Sequence, residues 1–340
     1  MQKKMMAVAV AGALAAPGMA FAQASTVQIY GTIVENVLWV DQGGQRLNTD
    51  MMQTNDSAFG IRGEEALGGG LSAWFQCEST FTLNDGSATN TLCGKNSGVG
   101  FKGGWGTAFV GMWDAPMKIV IAPLRPFSTT GPFGSAGLLF GTSAANVANG
   151  VAGGNTQASA ASFSRRQRNL ISYWTPSWAG FEGKVAISNA NEGTGQISGQ
   201  TATKPRMWGV GLSYTNGPFY VAGGYEHHRN YDPGSASFAL TAAGSGTVST
   251  ANSGRYTGGS DNGWNVGAAY TFAGVFKVSG VYARMKWDVN TGPTAATRLP
   301  SDAKVSAWAI FGDWNITGPH RVRGEYVDQG NVKGSAGLNQ

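Results

Sequence analysis

From residue 25 onward the chain is written in short segments whose apolar side chains recur at every second position, and it offers no stretch of about 18 uninterrupted apolar residues. That combination calls for strands with two unlike faces and excludes a bundle of membrane-spanning helices. Residues 56–115 set the pattern, with alternating runs joined in turn by glycine-rich turns, EEALGGG and GGWG, and by a long polar segment. Tight turns taking turns with long loops spell a meander of antiparallel hairpins.

A meander with short turns at one end and long loops at the other is the pattern of an all-β fold, a transmembrane antiparallel β-barrel. Charged residues make up 13% of the chain, against roughly a quarter in soluble domains. Gly 52, Trp 11, Tyr 10 and Phe 16 supply turns, close strand contacts and aromatic girdles, and so many aromatics exclude a disordered tail. A glycine-rich secreted adhesin or a soluble sandwich shares this composition, which discriminates weakly on its own.

The first residues read as an export signal. Met1-Gln2-Lys3-Lys4 is a charged start, Ala7 to Ala16 an apolar run, and Ala20-Phe21-Ala22 or Ala22-Gln23-Ala24 a small-x-small cleavage site. The run is shorter than the roughly 20 residues a spanning helix needs. Residues 1–24 are therefore expected to be a signal peptide and residues 25–340 a single barrel domain. Without Lys3 and Lys4 the 24 Lys+Arg fall to 22 against 19 Asp+Glu, a near balance that gives no warrant for nucleic-acid binding.

Alternation assigns faces. The first strand is expected over Thr26–Val40, followed by a polar loop, DQGGQRLNTDMMQTN. In the second, Phe59 and Ile61 share one parity and Ala58, Gly60 and Arg62 the other. Arg62 is thus a pore-lining candidate, because a spanning strand tolerates charge where it meets an aqueous interior. In the third strand Leu71, Ala73, Phe75 and Cys77 face outward and Ser72, Gln76 and Glu78 inward, with Trp74 either inward or at the rim. The fourth, near Lys95 to Lys102, turns Asn96 and Lys102 inward, and the fifth runs from Thr107 to Asp114. Further on, Arg166, Arg168 and Ser172 share a parity, although Arg166 also fits a solvated loop. Glu182 and Lys184 face inward between Phe181, Val185 and Ile187, and Arg321, Arg323 and Glu325 share an inward parity near the end.

Cys77 and Cys93 are the only cysteines, and they flank LNDGSATNT on the same face of neighbouring strands. In an oxidising compartment they should form a disulfide, the alternative being two free or misregistered thiols. Two thiols with no histidine nearby make a poor metal site, and the adjacent His227 and His228 point to opposite faces of a strand. Neither a metal nor a cofactor is expected. Residues 115 to about 160, beginning APMKIVIAPLRPF, are too broken by proline and glycine to span. With Asp114, Lys118 and Arg125 they make a long functional loop that either folds into the lumen and narrows it or lies outside as a lid.

The count is about thirteen strands, ending in the loop-like GNVKGSAGLNQ. An odd number leaves an open edge that lipid does not tolerate. Either about three C-terminal strands are missing from an apparently C-terminally truncated chain, or the count is wrong by an odd number.

Several stretches resemble general diffusion porins of the beta-proteobacterial type: Val27-Gln28-Ile29-Tyr30-Gly31, Ser57 to Leu71 (SAFGIRGEEALGGGL), Gly103 to Gly111 (GGWGTAFVG), and Asn169 to Gly180 (NLISYWTPSWAG). The resemblance implies a barrel of 16 strands when complete and a homotrimer in an outer membrane of lipid and lipopolysaccharide. It also implies that the third loop is a constriction loop and that Arg62 and Arg168 belong to a basic cluster on the wall. Ala58 and Met112 stand where the family commonly carries arginine, and Glu35 lies one residue later than the usual first-strand acid.

The expected function is passive diffusion of small hydrophilic solutes and ions, weakly or moderately selective because two basic side chains are missing. The alternative is a structural or plugged barrel, serving as a partner's scaffold or as the sleeve of an electron conduit. The chain carries no Cys-x-x-Cys-His for a haem of its own. His227, His228 and His320 have no nucleophile motif around them, so an enzyme is not expected.

Overall fold

The computed structural model describes residues 26–41, 46–54, 57–81, 92–127, 139, 163, 165–189, 206–229, 260–288, 302–330 and 333–334. The expected signal peptide, the loop between the cysteines, most of the long connection after residue 127 and the loops near 190–205, 230–259 and 289–301 lie outside the described residues.

The strands are β1 (Thr26–Thr32), β2 (Glu35–Asp41), β3 (Arg46–Thr54), β4 (Ala58–Gly68), β5 (Leu71–Thr80), β6 (Ser97–Gly103), β7 (Gly106–Asp114) and β8 (Arg166–Trp174). They continue with β9 (Phe181–Ser188), β10 (Arg206–Asn216), β11 (Phe219–Arg229), β12 (Ser260–Phe272), β13 (Phe276–Asp288), β14 (Asp302–Thr317), β15 (His320–Gln329) and the two-residue β16 (Lys333–Gly334). One sheet runs β1-β4-β5-β6-β7-β8-β9-β10-β11-β12-β13-β14-β15, every neighbour antiparallel, so the thirteen-strand meander read from the sequence is the architecture. Among the described residues β1 and β15 are its two edges.

Three local expectations need correction. The strand expected over Thr26–Val40 is broken: β1 ends at Thr32, and β2 leaves the sheet to pair with β3, which occupies the segment expected to be a loop. At the break the Ser57 hydroxyl accepts from the Val34 amide (2.8 Å) and donates to the Val34 carbonyl (3.1 Å), holding the turn against the start of β4. The C-terminal tail is not all loop, because β16 pairs with the far end of β14. Finally, Arg168 does not share the parity of Ser172. Asn169 sits at φ 52° in a bulge between the pairs Gly111/Leu170 and Trp113/Gln167. Asparagine is among the few side chains that tolerate that region, and the extra residue turns Gln167, not Arg168, toward Ser188.

Elsewhere alternation holds. Val27, Ile29, Phe59, Val99, Val185, Ile187, Leu212, Val266, Ile310 and Val322 lie exposed on one face, as a lipid-facing surface requires. An aromatic row crosses that face near the long-loop end, one ring per strand from β10 to β15. Its members include Trp208 against Tyr225 (ring centres 5.2 Å apart), Trp264 against Tyr282 (5.5 Å) and Trp308 against Tyr326 (5.4 Å). Phe181 and Tyr214 (4.4 Å), Tyr270 and Phe272 (4.7 Å) mark the short-turn end. Two aromatic rows with aliphatic side chains between them are the interfacial girdles of a membrane barrel.

The opposite face carries the packed core. Helix α1 (Pro116–Ile121), begun by proline at its first position and run on into a 3-10 turn at Ala122–Leu124, lies flat on it. Met117, Val120, Ile121 and Leu124 are buried there together with Leu139, Phe163, Ala222, Ala269, Val281, Ala283, Met285, Ala307 and Phe311. Glycine makes the fit possible: a Cβ at Gly224 would stand 2.6 Å from the Met117 Cα, and one at Gly211 would stand 2.6 Å from a Val120 methyl.

Candidate functional site

The face bearing α1 is the inner one, and the long connection folds onto it, not outside as a lid, over the described residues 115–127. Wall side chains fasten it by its carbonyls. Tyr220 Oη donates to Val120 O (2.6 Å), Asn265 Nδ2 to Met117 O (3.1 Å), Lys277 Nζ to Pro123 O (2.9 Å) and Ser279 Oγ to Leu124 O (2.5 Å). Carbonyls at the end of a short helix have no partner of their own, and three neighbouring strands supply one. Composition and parity did not single out Tyr220 or Asn265, although both fall on the inward parity of strands β11 and β12.

The polar side of the loop closes a charged recess of about 410 Å³ lined by Glu78, Lys95, Asn96, Asp114, Lys118, Arg125 and Arg166 among others. Asp114 is its centre, at 2.8 Å from Lys118 Nζ and 3.3 Å from Arg166 Nε. Asn96 holds the group in place, donating to Asp114 (3.2 Å) and accepting from Arg166 Nε (2.8 Å) and from the Asp114 amide (3.0 Å). Lys118 sits in α1, outside the spanning strands. Burial pulls its ammonium below the ordinary lysine value, against the opposing pull of the Asp114 carboxylate.

The other expected inward residues are placed as follows. Arg62 donates to Gln28 Oε1 (2.8 Å) and lies over the Tyr30 ring, whose hydroxyl reaches Glu78 (2.9 Å) across Gly60. Glu78 also faces Lys95 at 3.8 Å, Lys102 is paired with Glu64, and Lys184 with Glu182 at 2.9 Å. Arg321 (2.6 Å) and Arg323 (3.8 Å) converge on Asp313, and Glu325 shares their parity opposite Phe311. Arg168 lies exposed on its bulge. Ala58 is buried on the inner parity, whereas Met112 has the parity of outward Val110.

Cys77 and Cys93 are bonded, with their Cα atoms 4.6 Å apart, and tie the end of β5 to the chain entering β6. His227 and His228 point apart: His227 meets outward Trp208, while His228 is buried against Phe163 and Glu226. Among the described residues no group of three or more His, Cys, Asp or Glu gathers as a metal site.

A two-faced strand meander with aromatic girdles, a loop laid on its inner wall and a charged recess beneath that loop is matched in sequence as well. Residues 7–334 fit the sequence profile of the family described as Gram-negative porin. The chain belongs to the Gram-negative porin family. Like the other members, this porin is a transport protein of the bacterial outer membrane and not an enzyme. It is 30% identical over 333 residues to outer membrane porin protein 32 of Delftia acidovorans, an alignment covering 96% of this chain and 80% of the relative. It is 29% identical over 266 residues to an outer membrane porin protein of Bordetella pertussis, covering 75% of this chain and 59% of that relative. The fold is also that of an anion-selective porin from Comamonas acidovorans, with a TM-score of 0.64 at 22% identity, covering 91% of this porin and 80% of that chain.

Proposed function

We propose that the protein is a passive diffusion channel for small hydrophilic solutes and ions, with weak to moderate selectivity. The observation that carries this reading is helix α1, laid flat on the inner wall and fastened by its carbonyls, with Asp114, Lys118 and Arg166 gathered beside it. A loop held against one wall narrows a water-filled barrel without filling it. The pore lining on this reading comprises Arg62, Glu78, Lys102, Arg166, Glu182, Lys184, Arg321, Arg323 and Glu325, without Arg168, which the bulge at Asn169 turns off the inner face, and with Asp114, Lys118 and Arg125 at the constriction.

Weak selectivity follows from pairing. Lys95, Lys102, Lys118, Arg166, Lys184, Arg321 and Arg323 each have a carboxylate within 4 Å, and because Asp114 and Asp313 are each shared by two of them, five carboxylates cancel most of the positive field and leave a small basic excess at the distance of a passing ion. The Comamonas structure is of an anion-selective porin, and the same sign of preference in a milder form fits the small basic excess here. Closure is proposed to take 16 strands, the number the family resemblance implies; the edges at β1 and β15 among the described residues would otherwise expose unpaired backbone that lipid cannot satisfy. A homotrimer in contact with lipid and lipopolysaccharide, and removal of residues 1–24 on export, complete the reading.

Planar-bilayer recordings of the full chain test it. Stepwise conductance with a small positive anion preference in a KCl gradient is the expected result. A bilayer that stays closed despite inserted protein would favour the plugged, structural barrel instead.

A further inference from the structure

On the inner wall, between the short-turn end and the charged recess, four aromatic rings meet. Phe109 of β7 is 3% exposed and lies beneath three partly exposed indoles, at 5.4 Å from Trp74 of β5, 5.1 Å from Trp113 of β7 and 5.1 Å from Trp174 of β8. Gly98 and Gly100 of β6 open the space. A Cβ at Gly98 would stand 3.3 Å from the Phe109 ring, and one at Gly100 2.5 Å from the Phe109 Cβ. The apolar residues expected of a barrel face lipid, whereas these three partly exposed indoles, packed edge-to-face on Phe109, present apolar surface to the aqueous side.

The rim of the patch is polar. Lys184 lies 5.5 Å from the Trp174 ring centre and is paired with Glu182, and Lys102 is paired with Glu64. A recess of about 370 Å³ adjoins it, lined by Ser72, Lys102, Thr107 and Thr175; Ser72, Thr107 and Thr175 are one or two residues along the chain from Trp74, Phe109 and Trp174. The indole N–H groups of Trp74 and Trp174 have no acceptor among the described residues.

We propose that this platform is a stacking site for neutral pyranose sugars on their way through the pore, which gives the proposed channel a carbohydrate preference. A pyranose has one face of C–H groups that suits an indole and a rim of hydroxyls that both donate and accept. Lys184 with Glu182 and Lys102 with Glu64 offer donors and acceptors together at the edge of the rings. A planar aromatic solute would use the rings and leave that rim unanswered, and a bare anion would use only the ammonium groups.

The inference rests on the channel reading, and the test separates the two. Full-length protein in planar bilayers is titrated with glucose and maltose while ion current is recorded, for the wild type and for Trp74→Ala, Trp174→Ala and Trp174→Phe. Sugar-dependent interruptions of the current are expected, with the apparent affinity falling about tenfold in each alanine variant, as when one aromatic stacking partner is removed. Trp174→Phe should retain most of it, which separates stacking from loss of fold. Normal ion conductance with no sugar-dependent block overturns the proposal and leaves the channel intact, as does block by benzoate that exceeds block by glucose, or block unaltered in both alanine variants. Absence of any conductance would instead overturn the channel reading, and the sugar site with it.

Discussion

The phenol of Tyr220 donates a 2.6 Å hydrogen bond to the carbonyl of Val120, joining β11 to helix α1 across one hundred residues of chain. Tyr220→Phe keeps the ring and removes only that bond, for a net cost of about 0.5–1.5 kcal/mol in how firmly the loop is held. Because Asn265, Lys277 and Ser279 hold the neighbouring carbonyls, the single variant should keep its mean conductance and show added low-frequency current noise. Combining it with Asn265→Ala and Ser279→Ala should produce discrete steps to a larger conductance. Single-channel traces read both outcomes directly.

Gly224 offers a sharper perturbation, since its missing side chain is the space occupied by Met117 backbone. Gly224→Val sets two methyl groups of the strand wall against the helix packed on its inner face, and overpacking of this kind costs about 1–3 kcal/mol. The loop is the softer partner, so it should move. The expected phenotype is a folded barrel with higher conductance and permeability to larger solutes in liposome swelling. Unchanged permeability would show that α1 does not set the narrowest passage.

Much of this is legible in the sequence because each spanning residue meets either lipid or water. Phe181, Glu182, Lys184 and Val185 fall on the faces their parity predicts, and Cys77 with Cys93 needed only shared parity and an oxidising compartment. Parity arguments fail wherever one residue is inserted. The bulge at Asn169 moves Arg168 off the expected face, and nothing in NLISYW announces it beyond an asparagine that tolerates positive φ. The break after Thr32 is similar: TVQIYGTIVENVLWV alternates well enough to be one strand, and the Ser57 bridge that breaks it comes from a distant segment. Helix α1 did leave a trace in Pro116 followed by Met117, Val120 and Ile121 at helical spacing. The wall it chose was marked by glycines on the inward parity, Gly209, Gly211, Gly224 and Gly267, where a lining residue is ordinarily larger.

The disulfide closes a separation of 16 residues around the loop between β5 and β6. A loop of that length gives about 3 kcal/mol in the chain-entropy account. Cys77→Ser with Cys93→Ser should lower the midpoint of thermal unfolding in detergent micelles by a few degrees while leaving single-channel conductance near the wild-type value, since neither cysteine touches α1. A reducing agent applied to the wild type should reproduce the shift. A change in ion selectivity on reduction would instead tie the bridge to Glu78 and Lys95, which lie beside it in sequence.

The last prediction concerns pH. Burial holds the Lys118 ammonium below the ordinary lysine value of about 10.4, and the Asp114 carboxylate is the main opposing influence. In the window between the lowered folded value and the unfolded one, the unfolded chain binds a proton that the folded chain has released. Stability attributable to this group therefore rises with pH across that window. Conduction moves the other way: deprotonation removes one positive charge beside Asp114 and Arg166, so the anion-to-cation permeability ratio should fall on the alkaline side before the exposed lysines titrate. Asp114→Asn takes away the influence that favours the charged form, and should shift the fall to lower pH while raising the ratio on the acid side, where Arg166 and Lys118 are no longer compensated. Lys118→Met should abolish the early step. Reversal potentials across a KCl gradient, measured from neutral to alkaline pH for the three proteins, would reject the assignment if the step survives in Lys118→Met.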